Sequence, residues 1–152
     1  MSLATQDSQV IATGGAKAFL TQMVAALQHL TLCTVHLFVN NFTPTALNVV
    51  ADFTEPDTAT EWAEYVAKAT TGWLAQTVDP TGRVYIQATP LMQWIGPAIP
   101  FEQTVFGYFV LSAQAGTPLL YSTRFPVPKP MPNADATLTL VPSFTLPNVQ
   151  AP

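Results

Sequence analysis

After Thr31 the apolar residues recur at every second position: Cys33, Val35, Leu37 and Val39 share one parity, and Leu32, Thr34, His36 and Phe38 the other. A backbone whose side chains alternate between two faces is a β-strand, and its wholly apolar parity marks the core side. The period returns at Val84, Ile86 and Ala88 in the stretch 83–88, behind the turn signature Asp79-Pro80-Thr81-Gly82. "TVFGYFVL" (104–111) is apolar at both parities, which suits a central strand or one lying under a subunit contact. "LLYSTRF" (119–125), reached through the glycine-bearing loop "SAQAGTP", reads as its hairpin partner. Near the end, Leu138, Leu140, Phe144 and Leu146 oppose Thr137, Thr139, Ser143 and Thr145. Pro142 interrupts that final strand and assigns it to a sheet edge. A chain patterned in this way must be mainly β.

Other segments follow different rules. Phe19, Leu20, Met23, Val24, Leu27 and Leu30 recur at steps of three and four, which predicts one helix within 16–30. Asn40-Asn41 ends the first strand, since Asn tolerates turn geometry, and Pro44 holds Thr43 extended. The stretch 34–57 is therefore first of all a sheet corner. "EWAEYVAKATTGW" (61–73) fits either a helix, with Glu64 and Lys68 one turn apart, or a strand. "PLMQWIGPAIP" (90–100) is expected to be irregular between its prolines. "PVPKPMP" (126–132) excludes a helix or a central strand and predicts an extended, polyproline-like arm.

The expected organisation is a flexible lead-in over 1–15, one β domain with its helix over 16–125, and an arm plus edge strand over 126–152. The fold class is an antiparallel β-sandwich or jelly-roll-like domain with an N-terminal α-helix.

Apolar residues make up 49% of the 152-residue chain, enough for a single core, but only 9% are charged. Soluble domains average about 25%. Uncharged apolar surface associates, so much of this surface is expected to lie against other subunits; a secreted or Thr/Gln-surfaced monomer is the alternative. The net charge is -4, and the five basic residues are scattered, against a nucleic-acid footprint. The N-terminus lacks a signal-peptide pattern, which predicts a protein made in the cytoplasm. No apolar run is long enough to span a membrane. Cys33 has no second cysteine to pair with and is expected to be a small buried hydrophobe.

Little of the sequence carries catalytic chemistry. Cys33 and His36 lie on opposite strand faces and cannot form a dyad, and His29 with His36 lacks a third metal ligand. Asp52, Glu55, Asp57, Glu61 and Glu64 crowd thirteen residues, yet their spacing matches no calcium loop, so a solvated acidic loop is expected. Asn41-Phe42-Thr43 matches a glycosylation acceptor, read as incidental without an export signal. Trp62, Trp73 and Trp94 suit core or interface anchors, with sugar stacking as the alternative. No enzyme activity, cofactor or metal is expected.

The segments "VHLFVNNFTPTALNVVADFTEPD", "GW", "VFGYFVLSAQAGTPLLYSTRF" and "TLTLVPSFTL" together resemble a family of small proteins from tailed-phage and environmental viral sequences. The resemblance covers about residues 20 to 147 and departs from the family pattern at "TEWAEYVAK". Its motifs are turn and strand signatures, so they imply a fold and a place in a virion rather than a reaction. The role it implies is a capsid decoration, head-fibre or tail component. Such a subunit would pair with itself and with other virion proteins. Phe106, Tyr108 and Val110 are expected to form one contact face, and Pro126, Pro128, Pro130 and Pro132 an arm lying across a neighbour. A carbohydrate-binding or adhesin module is the rival reading.

Overall fold

The computed structural model describes residues 11–12, 33–74, 77–80, 84–112, 116–145 and 149–150. The expected helix within 16–30, and the lead-in apart from Ile11 and Ala12, lie outside the described residues. The strands in chain order are β1 (Ile11–Ala12), β2 (Thr34–Phe38), β3 (Lys68–Ala69), β4 (Gly72–Trp73), β5 (Thr77–Val78) and β6 (Val84–Thr89). They continue as β7 (Met92–Ile95), β8 (Gln103–Leu111), β9 (Leu119–Met131), β10 (Thr137–Leu140), β11 (Ser143–Thr145) and β12 (Val149–Gln150). The fold is mainly β and sandwich-like, and apart from the short parallel pair β1–β12 its strands run antiparallel.

The larger sheet has the order β3-β2-β8-β9. Facing it are β11-β6-β4, with β5 also on β6, and the separate pair β10-β7. Alternation places Val35 and Leu37 of β2, and Cys33 just before it, in the interior, together with Val105, Tyr108 and Val110 of β8. Trp62, Met92, Trp94, Met131 and Leu138 close over them. The strand over 84–89 has the expected parity, with Val84, Ile86 and Ala88 all buried.

Four expectations need correction. Residues 92–95 are not irregular: they form β7, with Trp94 opposite Leu138 and Met92 opposite Leu140. Pro90 and Pro97 bound this strand rather than break it. Residues 61–73 are neither a helix nor a continuous strand. Glu61 N and Trp62 N both donate to Asp57 O, and Tyr65 N to Trp62 O, a string of turns that sinks Trp62 and Tyr65 into the core before the short β3 and β4.

Residues 126–131 are extended, as expected, but they are the second half of β9, and 129–131 pair with the chain's own β8, Thr104 opposite Pro130. Proline is tolerated there because β9 is the sheet's edge. Finally, Phe106 does not share a face with Tyr108 and Val110. Between Val105, opposite Lys129, and Gly107, opposite Arg124, the register shifts so that residues 125–128 of β9 face Phe106 alone, and Phe106 packs on the other side.

Candidate functional site

β8 is apolar on both faces because both are covered from within the chain. On the face away from the main core, Phe38, Phe109 and Leu111 meet Phe53, with Phe42, Phe106 and Leu119 packed around them. Phe42 and Phe53 come from the loop over residues 40–55, which folds back across the sheet. Phe53 stacks on Phe109 with ring centroids 4.6 Å apart, and Phe42 and Phe38 approach Phe53 at 5.2 and 5.4 Å.

Polar groups hold this lid in place. Asn40 does more than end a strand: its Oδ1 accepts from Thr54 N and its Nδ2 donates to Asp52 O. Val39 N donates to Thr54 O, so the returning chain is laced to the strand end. Arg124 on β9 donates through Nη1 to Phe42 O and through Nη2 to Asn41 Oδ1, both at 2.7 Å. Its guanidinium also lies 5.1 Å from the centroid of Phe106. A planar fork that binds two acceptors while stacking on a ring suits Arg and not Lys.

At the other end of the lid, Glu55 meets β2. Its Oε2 lies 2.9 Å from His36 Nδ1 and accepts from the Tyr65 hydroxyl at 2.9 Å; that hydroxyl in turn accepts from Leu37 N. His36 Nε2 lies 3.0 Å from Thr34 Oγ1, and the imidazole stacks on Phe109 at 5.0 Å. Burial works against the charged carboxylate, but the hydrogen bond and charge of His36, with the Tyr65 hydroxyl, outweigh it and hold Glu55 below its ordinary value. Burial and the nearby Glu55 push the Tyr65 phenol far up.

The order hydroxyl–imidazole–carboxylate has the connectivity of a nucleophilic relay, one that no local spacing signals, since Glu55 is nineteen positions from His36. What it lacks is a place for a developing oxyanion. Thr34 carries a hindered secondary hydroxyl on a strand paired on both sides, opposite Ala69 and Leu111, so the neighbouring backbone N–H groups belong to ladders. The cluster is a clasp between strand and lid.

The other acids have local work. Asp52 Oδ2 accepts from Asn48 Nδ2 and Val49 N, and these bonds lower its pKa. Asp57 accepts from Thr60 Oγ1 and Ala59 N, and its pKa is lowered in the same way. Among the described residues no three His, Cys, Asp or Glu side chains group as a metal site. Cys33 and His36 do occupy opposite faces: Cys33 lies in the core, where burial pushes its thiol up against the smaller, lowering effect of Thr70.

The expected contact residues fare unevenly. Tyr108 and Val110 are buried in the chain's own core and are not available to a neighbour, while Phe106 is half-buried beneath Arg124. Pro126, Pro130 and Pro132 are exposed and Pro128 is half-buried. Trp62 and Trp94 are interior, donating through Nε1 to Ile95 O and Val66 O, so neither offers a platform for a sugar. Among the described residues no helix is long and apolar enough to cross a membrane. No family model, curated protein or solved structure was found to match the chain.

Proposed function

We propose that this chain is a non-enzymatic structural subunit of a tailed-phage virion, a capsid decoration, head-fibre or tail component. In this reading it assembles with copies of itself and with other virion proteins through apolar contacts. The observation that carries the reading is the combination of scarce charge with large apolar side chains left bare. Leu47 is 91% exposed, Ile99 81% and Val127 67%, on a chain of which 9% is charged. Isolated apolar side chains on a surface are ordinary, but without surrounding charge they raise the tendency to associate. The sequence resemblance to phage proteins supports the virion setting.

With Tyr108 and Val110 interior, the contacts move to the tip of the lid (Leu47, Val49), to Ile99 and to the exposed prolines of β9. Removing residues 126–152 would not test this, because it would also remove β10 and β11, the partners of β7 and β6. Point substitutions would. Light scattering at micromolar concentration is expected to give an oligomer, and Leu47→Asp or Ile99→Asp to shift it toward monomer with an unchanged circular dichroism spectrum. A parent protein that stays monomeric, and is absent from purified particles, would refute the proposal.

A further inference from the structure

The larger sheet ends in β9, which among the described residues pairs with β8 alone. Its ladder fixes which backbone groups face outward. Ser112 N donates to Pro118 O, so the N–H groups of Val110 and Tyr108, on the same side of β8, also point at β9. The residues opposite them, Tyr121 and Thr123, point back at β8. Ser122 and Arg124 alternate with these and therefore turn N–H and C=O away from the sheet. The stretch is bounded at both ends. Leu120 is an extra residue against the step from Val110 to Leu111, and Pro126 has no N–H.

Other strand borders are closed by the chain itself. On the side of β2 away from β8, Cys33 N donates to Thr70 Oγ1, Leu37 N to the Tyr65 hydroxyl and Val39 N to Thr54 O. On β7, Ile95 O accepts from Trp62 Nε1. The outward backbone groups of Ser122 and Arg124 meet no such partner among the described residues. A groove also lies open on each face beside them. One, of about 440 Å³, runs between residues 119–122 and the lid at Pro44, Thr45, Ala46 and Asn48; the other, of about 250 Å³, runs between residues 121–123 and β11. An unpaired border with room on both faces is what an added strand requires, since its side chains alternate to either side.

We infer that a second copy of this chain adds its own residues 121–125 here, antiparallel, about a two-fold axis at Thr123. The inference rests on the self-association proposed above and gives it a mode. Three features select a second copy as the occupant. Leu120 and Pro126 stand three residues to either side of Thr123, so under this axis the ladder stops at the same place on both strands. Within it, Ser122 of each copy exchanges N–H···O bonds with Arg124 of the other. The side chains are self-complementary in that register: Tyr121 lies opposite Phe125, an aromatic pair, and Thr123 opposite Thr123, both favourable across strands. The one charge in the stretch, Arg124, lies opposite Ser122, and its guanidinium is already held by Phe42 O and Asn41 Oδ1 of its own lid. No like charges are set opposite each other. The two-fold axis uses both open borders at once, so the pairing closes as a dimer.

The test sets Thr123, which is exposed, against itself. Sedimentation of the intact protein at micromolar concentration is expected to show a dimer or a multiple of one. Thr123→Asp and Thr123→Lys each place like charges face to face across the axis and are expected to weaken association at least about ten-fold. An equimolar mixture of the two variants is expected to restore it. In the parent, deuterium exchange at the Ser122 and Arg124 amides is expected to be slow when associated and fast on dilution. If the parent associates but neither variant weakens it, or those two amides exchange freely in the associated state, the pairing is overturned while self-association stands on other surfaces. Weakening that the mixture does not restore means a contact without two-fold symmetry and overturns it too. A monomeric parent overturns both the pairing and the self-association. Should a Thr123 variant lose the parent's circular dichroism spectrum, Ser122→Pro, which removes an outward N–H that β8 does not use, takes its place; association undiminished by that change overturns the pairing equally.

Discussion

Truncating Phe53 to alanine separates two explanations for the apolar second face of β8. If that face is sealed by the chain's own lid, the cost appears in folding; if a neighbouring subunit seals it, the cost appears in association. Phe53 is 7% exposed and contacts three rings, Phe38, Phe42 and Phe109. Phe→Ala in a core costs about 3–5 kcal/mol. The lower end applies here, because a surface loop can settle into the space, so the expected loss is about 3 kcal/mol. Against a typical total of about 5–15 kcal/mol this is a large share. For a chain of this size it corresponds to a fall in the thermal midpoint of roughly 6–12 °C. Urea unfolding at several protein concentrations is the assay, with Phe53→Leu as a partial truncation costing about 1.5 kcal/mol or less. A loss below about 1 kcal/mol, in the range of an ordinary surface change, would refute the lid. So would a loss that vanishes on dilution.

Two further substitutions probe how the lid and sheet are fastened. Glu55→Gln removes the charge that His36 and Tyr65 stabilise, an expected loss of about 1–2 kcal/mol near neutral pH after discounting for partial exposure. Because folding lowers the Glu55 pKa from its ordinary 4.5, its contribution is complete above that value and fades as pH falls through the lower folded value. The stability gap between parent and variant, measured by urea unfolding, should therefore close on acidification; a gap constant from neutral to strongly acid pH would contradict the assignment. Gly107→Ala would bring a methyl group against Thr123 O and within 2.6 Å of the Phe38 ring, and is expected to cost about 1–3 kcal/mol. An unchanged thermal midpoint would show that β8 and β9 are not held so close at the bulge.

The strands that could be recognised from the sequence alone are those with one clean apolar parity. Cys33, Val35 and Leu37, and again Val84, Ile86 and Ala88, show their inward face without help from any partner. β7 was hidden because its prolines lie at its borders, and its partner β10 is more than forty positions away. A doubly apolar strand such as β8 leaves open what covers each face, and here the answer lay in Phe42 and Phe53, within a segment that reads as turn. The bulge at Phe106 leaves no compositional trace beyond the adjacent glycine, so counting by twos failed there. The clasp at Glu55 was illegible for a similar reason: an acid in an acidic run looks solvated until the loop's path brings it to His36. Of the expected contact face, the exposed prolines survive as surface, while the two interior residues of β8 belong to packing.

β9 has one more consequence, for a chain with so much strand and so little charge. Such molecules are prone to grow into fibres by adding backbone to backbone at an open border. Along the outer half of this thirteen-residue strand, Pro126, Pro128 and Pro130 have no N–H to offer. A foreign strand arriving there would find no donors at three positions in five and could not zip into register. Whatever this protein builds in quantity, that border steers it toward closed, finite contacts between side chains and away from endless stacking.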